Sequence, residues 1–246
     1  MEEKKFSPAN VLTTIKNGLR RLATMDSIYL VFAFIIPVVI MYIIYIAMEI
    51  HPFGDGSVLV LDLNGQYVYF YEALRRFVYG DASLLYSFSR ALGGEFMGIY
   101  AYYVASPFSY IVCLFPQTRI LEALLFIFLL KTGLCGFTFG FYIHKTGKSR
   151  SKIATVIFSC MYALSAYAIV QQHNSMWIDA LIWLPVISYA IEQLVKYGKF
   201  RMYVFFLALT LASNFYIGYM MCFWCLAYFF FYYISENVAN KNNPLC

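Results

Sequence analysis

The stretch SIYLVFAFIIPVVIMYIIYIAM, residues 27–48, contains no charged side chain over 22 residues. A helix of this length extends ~33 Å, enough to cross the ~30 Å hydrocarbon core of a bilayer. It is too long for the core of a signal peptide, so we expect it to remain as a membrane anchor. Residues 1–26 contain five Lys and Arg residues. This basic flank predicts a cytoplasmic N-terminus.

The composition of the whole chain agrees with a membrane protein. Hydrophobic residues make up 62% of the 246 residues and charged residues 13%, whereas soluble domains have ~45–50% and ~25%. The excess apolar surface must therefore face lipid. This excludes a soluble enzyme, a secreted disulfide-rich domain and a disordered chain. The net charge of +5 lies in short clusters between apolar runs, which indicates membrane topology and no nucleic-acid partner.

The apolar run at 97–116 is the least certain of the later spans. Pro107 lies at its middle and removes a backbone donor that lipid cannot replace. If this run crossed the membrane, the basic loops at 145–152 and 196–201 would lie outside, against the positive-inside rule. We therefore expect a re-entrant segment or one lying on the outer surface. The remaining predicted spans are 27–48, 120–143, 153–170, 180–195, 202–213 and 218–234, followed by a tail at 235–246.

The last two spans come from one apolar run at 202–234. As a single helix it would be ~50 Å long, which exceeds the thickness of the bilayer. A break within SNFYIG, residues 213–218, makes a hairpin that returns the C-terminus to the cytoplasm. A single long helix is the alternative.

The connection at 49–119 is the long outer loop of this topology. Loops of this length are functional or disordered, and its many Tyr and Phe residues argue against disorder. An apolar, strand-like stretch at 58–61 precedes apolar residues at helical spacing over 64–80. That spacing predicts an interfacial helix lying on the outer leaflet. Asp62 lies at its start.

Two acidic residues are candidates for chemistry on the outer side. Asp62 is a candidate for a functional role; the alternative is that Asp62 or Asn64 caps the interfacial helix. Asp179, at the outer mouth of the span at 180–195, either caps that helix or points into the same outer cavity. Lys131 is costly in hydrocarbon and is expected to face the bundle interior, with Glu122 or a bound phosphate as its partner.

Further polar residues on the outer side are candidates for binding a phosphate or another part of a substrate. The arginines suit a lipid phosphate, as point charges or as bidentate forks, and contact with headgroups is the simpler alternative. A lone His in a polar loop is more often solvated than a ligand. These residues are Arg75, Arg76, Arg90, Arg119, Gln66 and His173.

Four unusual strings carry a resemblance to a known family. They are DLNGQY at 62–67, GGEFMGIYAYYVASPF at 93–108, NSMWIDALIWLP at 174–185 and SNFYIGYMM at 213–221. These strings resemble the bacterial YfhO family over residues 27–233. The order of segments resembles the GT-C glycosyltransferases, which take sugars from polyprenyl-phosphate carriers.

The resemblance implies an all-α polytopic membrane protein with a GT-C-like helical bundle in the bacterial cell membrane. It implies transfer of a sugar from an undecaprenyl-phosphate-linked donor to a hydroxyl of a cell-surface polymer, such as lipoteichoic acid, on the outer face. The catalytic acid of these enzymes corresponds to Asp62, and Asp179 is the candidate for a second carboxylate. Many relatives place a second acid directly after the first, but Leu63 stands there, so a divalent cation is not required by this sequence.

Family members are much longer, so the chain resembles their N-terminal part. Two other functions stay open. One is a transporter or flippase of a lipid-linked substrate, and the other is a non-catalytic membrane subunit.

Overall fold

The computed structural model describes residues 28–89, 92–148 and 151–242. The predicted cytoplasmic segment 1–26 and Arg90 lie outside these ranges. Within them the chain is helical and forms no β-strand. The strand-like stretch at 58–61 forms no strand, and the isolated β-bridge nearest to it joins Ile50 to Gly56. The all-α polytopic class is confirmed.

Eight α-helices carry the fold in the described ranges, together with a bent segment between the second and the third. A π-helical turn, Leu63–Tyr67, runs directly into α2. The helices are α1 Ile28–Ala47, α2 Val68–Val78, α3 Ile120–Thr146, α4 Lys152–Ala163, α5 Ala166–Val170, α6 Ser175–Tyr197, α7 Arg201–Ser213 and α8 Phe215–Asn242.

The bent segment comprises residues 97–114. An α-helical turn at Met97–Ile99 continues as a π-helical turn at Tyr100–Val104, and a 3-10 helix follows at Pro107–Leu114. The two halves meet at an angle of 96°. The second half begins where Ser106 Oγ accepts a hydrogen bond from the Phe108 amide, an N-cap that fixes the direction of the new helix.

Four helices in the described part are long and apolar enough to cross a membrane, or five segments if the bent segment is counted as one span. They are α1, α3, α6 and α8. With 12 and 13 residues, α4 and α7 are shorter than the ~20 residues that a crossing needs. The predicted span at 153–170 is divided, because Ser165 Oγ accepts a hydrogen bond from the Ala168 amide and starts α5 as a separate helix. The predicted tail from 235 is helical, as part of α8.

Helices α1 and α3 pack closely at a glycine. A Cβ atom on Gly136 would lie 2.1 Å from the carbonyl oxygen of Ala33, and Ala33 itself is fully buried. Small residues allow such close approach of helices in lipid, where helix association depends on van der Waals packing. Any side chain at position 136 would therefore push α1 and α3 apart.

The chain reverses direction at Asn214, between α7 and α8. Asn214 has an extended backbone, with φ −160° and ψ 112°. Gly218 packs against Leu211, and further along the same two helices Tyr203 interacts with Cys225. Both pairs are centred on Asn214, so α7 and α8 are antiparallel and form a hairpin rather than one long helix.

One end of the bundle carries the basic loops, and we call it the basic end. The Tyr29 ring at the start of α1 lies 5.4 Å from the His144 ring in the last turn of α3. Lys148 Nζ, just after α3, lies 3.0 Å from Glu192 Oε1 near the end of α6. The start of α1 and the ends of α3 and α6 therefore lie together.

The opposite end, which we call the Asp62 end, contains the long loop. His51 Nε2 lies 3.4 Å from Glu122 Oε1, so the chain after α1 meets the start of α3 here. Asn214 Nδ2 donates a hydrogen bond to the Tyr102 carbonyl oxygen at 2.7 Å. The bent segment and the α7–α8 turn therefore lie at this end.

Helix α6 begins deep below the Asp62 end. Lys131 lies 11 residues after the first residue of α3, a rise of ~17 Å, and its Nζ hydrogen-bonds Ser175, the first residue of α6. The bent segment reaches down beside α6, where its Phe108 stacks on Trp183 with ring centroids 6.0 Å apart. The bent segment thus enters the bundle and returns to the same end.

Candidate functional site

Asp62 is presented at the start of the π-helical turn by an unusual backbone. Leu61 has a φ of 48°, a left-handed conformation that costs a non-glycine residue ~1–2 kcal/mol. Asp62 makes no capping hydrogen bond to the helix, so its carboxylate is not used as a cap. The side chain is exposed, and its Oδ2 accepts a hydrogen bond from the Tyr67 hydroxyl at 3.3 Å.

A row of aromatic side chains extends from Asp62 to the head of α6, and we call it the aromatic wall. Its members come from four separate parts of the chain, so only the folded structure brings them together. Neighbouring ring centroids are between 4.5 and 6.5 Å apart, the spacing of favourable ring pairs. In order from Asp62 they are Tyr67, Tyr103, Tyr102, Tyr216 and Trp177.

The two ends of the aromatic wall carry polar atoms. Burial and the nearby Asp62 charge raise the pKa of the Tyr67 hydroxyl, so Tyr67 stays protonated and donates to the carboxylate. At the far end, the buried Trp177 Nε1 has no hydrogen-bond partner in the described part of the chain. A buried donor without a partner costs ~1–3 kcal/mol, a cost that a ligand oxygen would relieve.

Asn214 holds the aromatic wall to the bundle. It is only 2% exposed, and its Nδ2 donates to the Tyr102 carbonyl oxygen. Its Oδ1 accepts a hydrogen bond from the Ile217 amide at 2.8 Å, which starts α8. One side chain therefore joins the α7–α8 turn to the bent segment. In the sequence this residue indicated only a helix break, within the string SNFYIG at 213–218.

A buried ion pair lies deeper in the bundle. Lys131 Nζ is 2.5 Å from Asp179 Oδ1, and both side chains are 2% exposed. The ammonium group also donates to Ser175 O at 2.7 Å and to Ser175 Oγ at 2.9 Å, and it lies 5.4 Å from the centre of the Phe108 ring. Lys131 therefore faces the bundle interior, as predicted. Its partner is Asp179, not Glu122, which instead faces His51.

Tyr71 connects the ion pair to the helix that follows Asp62. It is 2% exposed, and it lies one turn after Tyr67 on the same face of α2. Burial and the Asp179 charge raise the pKa of Tyr71 to about 12, while the hydroxyls of Ser175 and Ser109 lower it. The buried face of α2 therefore touches both the aromatic wall and the ion pair.

The two candidate acids lie in different environments. Asp62 is exposed and bonded to a tyrosine, whereas Asp179 is buried, paired with a lysine, and located in the fifth position of α6. At that position it does not cap the helix. No contact among the described residues joins the two carboxylates, and no group of three or more His, Cys, Asp and Glu lies together there.

The predicted cationic residues are separated from Asp62. Arg75 and Arg76 follow it by 13 and 14 residues along a continuous helix, a distance of ~20 Å. Arg75 Nε donates to the Phe115 carbonyl oxygen at 3.1 Å, which ties α2 to the chain after the bent segment. Arg119 ends a 3-10 turn before α3. The structure does not gather these arginines around the carboxylate.

The two remaining polar candidates also differ. Gln66 is exposed in the π-helical turn that begins after Asp62. The His173 ring is held between two neighbours, with Nδ1 3.0 Å from the Val170 carbonyl oxygen and Nε2 3.1 Å from Asn174 Nδ2. His173 thus braces the loop before α6, and Gln66 is the one of the two that lies beside Asp62.

Comparison with known proteins identifies the family. A model of the family described as bacterial membrane protein YfhO matches residues 33–245. The chain belongs to the YfhO family. A relative from Bacillus subtilis (strain 168), "Uncharacterized protein YfhO", is 26% identical over 159 residues, covering 58% of this chain and 18% of the relative. The chain thus spans less than a fifth of the length of that YfhO relative. No solved structure matches the chain.

Proposed function

We propose that this chain is part of a membrane glycosyltransferase that uses an undecaprenyl-phosphate-linked sugar. The acceptor is a hydroxyl of a cell-surface polymer of the teichoic-acid type, and Asp62 is the general base. The observation that carries the proposal is the state of Asp62, whose carboxylate is exposed, not used as a helix cap, and oriented by Tyr67. A carboxylate in that state is free to accept a proton from a bound hydroxyl.

The proposed reaction is an inverting transfer. The acceptor oxygen forms a bond to the anomeric carbon as the bond from that carbon to the phosphate oxygen breaks. The acceptor proton passes to Asp62, and undecaprenyl phosphate leaves as the anion. The aromatic wall provides apolar ring faces beside the carboxylate for the sugar ring or the start of the prenyl chain, and the Trp177 N–H provides a donor for a ligand oxygen.

In this proposal the Asp62 end faces the outside of the cell. Lys148 lies at the basic end with the ends of α3 and α6, and basic loops are retained in the cytoplasm. The helix α2 then lies on the outer leaflet, and the bent segment, which enters and leaves at the Asp62 end, is re-entrant. Both substrates of the proposed reaction are reached from that side.

The surroundings of Asp179 favour a positioning role rather than a catalytic one. A carboxylate that is paired with an ammonium group and closed to solvent cannot take a proton from a substrate hydroxyl. Through Ser175 and Tyr71 the ion pair instead fixes the head of α6 against α2. That contact sets the position of the π-helical turn that begins directly after Asp62.

The direct experiment replaces Asp62 with Asn in the full-length protein. A general base contributes ~10²–10⁴-fold to a rate, so sugar incorporation into the surface polymer should fall by at least ~100-fold with the protein level unchanged. Asp55→Asn is the matched control, because Asp55 lies in the turn before the same helix. Incorporation at the wild-type level by Asp62→Asn would refute the proposal.

The ion pair supports a second candidate function. Charged residues inside a helix bundle often mark a transport path, and Lys131 and Asp179 are such residues. A transporter or flippase would move a lipid-linked sugar between the leaflets of proteoliposomes, and Asp62→Asn would leave that movement intact. A non-catalytic subunit would tolerate loss of Asp62 and would show neither activity.

A further inference from the structure

A concave surface lies on the face of α2 that points away from the bundle. It is a cavity of about 490 Å³ between α2 and the loop that follows it, and we call it the distal pocket. Tyr71 and Leu74 are buried on the opposite face of α2. Its principal lining side chains are Tyr69, Glu72, Arg76, Asp81, Tyr86 and Phe88.

The distal pocket combines aromatic rings with polar groups that have hydrogen-bonding capacity to spare. The rings of Tyr86 and Phe88 are in edge contact, with centroids 5.0 Å apart, and Phe88 is 86% exposed. Among the described residues, Arg76 and Asp81 take part in no ion pair. Exposed rings next to such polar groups suit a ligand that has one apolar face and several hydroxyl groups.

We propose that the distal pocket binds a neutral pyranose unit. The C–H face of a pyranose ring packs on an aromatic ring, while its hydroxyls donate to carboxylates and accept from a guanidinium. Among the described lining residues, the carboxylates of Glu72 and Asp81 outnumber the guanidinium of Arg76, which disfavours a phosphate group. The volume falls within the ~300–1,000 Å³ of small-molecule sites and is large enough for one or two sugar rings.

The distal pocket cannot hold the sugar that reacts at Asp62. Tyr69 and Arg76 follow Asp62 by 7 and 14 residues along the helix, which places the pocket ~10–21 Å away. A pyranose ring is shorter than that distance, so the pocket accommodates a sugar unit further along an acceptor chain. This assignment to the acceptor rests on the proposed function, whereas binding of a sugar does not.

The test measures sugar binding by the full chain in lipid nanodiscs. Saturation-transfer NMR with maltose, N-acetylglucosamine and glycerol 1-phosphate as probes should show binding of the two sugars and weaker binding of the phosphate. A Tyr86→Ala, Phe88→Ala double variant should bind maltose at least ~10-fold more weakly, since ring contacts dominate such a site. Leu85→Ala is the matched control, because Leu85 is 74% exposed in the same loop and does not line the pocket.

Three results would overturn the sugar site: no sugar binding by the wild type, unchanged binding by the double variant, or tighter binding of glycerol phosphate. Asp62→Asn should bind maltose as the wild type does, so binding is judged separately from catalysis. With a polymeric acceptor, Tyr86→Ala, Phe88→Ala should raise KM and leave kcat unchanged. An unchanged KM would remove the acceptor assignment and leave the sugar site standing.

Discussion

The two candidate acids, Asp62 and Asp179, show how one residue type takes two roles. Asp62 lies at the protein surface, directly after Leu61 in its left-handed conformation, and accepts a hydrogen bond from Tyr67. Asp179 lies in the bundle interior, 2.5 Å from an ammonium group. The environment of a carboxylate decides whether it exchanges protons or anchors structure. In the proposed function, Asp62 in the first environment is the catalytic base, and Asp179 in the second has a positioning role.

The largest effect on stability is expected from breaking the ion pair. Lys131→Met leaves the Asp179 carboxylate buried without its partner, which costs ~3–5 kcal/mol. The variant should unfold at a lower temperature in detergent, as measured by thermal unfolding of the purified protein. A double variant, Lys131→Met with Asp179→Leu, should recover most of that loss, because well-packed apolar residues often replace a buried ion pair at little cost. Equal instability of the single and double variants would contradict the positioning role.

A smaller effect is expected from Asn214→Ala. It removes the donor to the Tyr102 carbonyl and the acceptor for the Ile217 amide. The loss of each hydrogen bond lowers the free energy of unfolding by ~1 kcal/mol or more. The aromatic wall should loosen, and sugar transfer should fall ~10-fold by the loss of positioned substrate. Thermal unfolding of the purified variant measures the loss of stability, and a sugar-transfer assay measures the loss of activity. Asn237→Ala is the control, because its amide bonds only the exposed part of α8.

The smallest effect is expected from Tyr67→Phe. It removes the hydrogen bond to Asp62 and keeps the ring in the aromatic wall, so stability should change by less than ~1.5 kcal/mol. Transfer should fall by a few-fold, as the carboxylate loses its orienting partner. A fall as large as that of Asp62→Asn would show that the hydroxyl itself takes part in the chemistry.

The fold class and the family follow from the sequence because they depend on composition and on local strings. Apolar runs longer than a bilayer is thick require lipid, and the strings around Asp62 and Asp179 are unusual enough to indicate one family. One helix break was not accessible from the sequence. The division of 153–170 depends on a hydrogen bond to Ser165 Oγ, which an apolar run does not reveal.

The site is less predictable because it depends on which helix faces meet. The sequence placed Lys131 in the bundle but left its partner open between Glu122 and a bound phosphate. The depth at which α6 begins brings Asp179 to Lys131 instead. The aromatic wall likewise draws residues from four separate parts of the chain, and spacing in the sequence carries no information about such contacts.

The most direct measurement compares transfer per folded molecule in two full-length variants. Asp62→Asn should fold normally and lose sugar transfer by at least ~100-fold. The double variant Lys131→Met, Asp179→Leu should retain transfer within ~10-fold of the wild type, because an apolar replacement preserves the packing of α6. The opposite pattern, with transfer kept by Asp62→Asn and abolished in the folded double variant, would contradict the assignment of the base to Asp62.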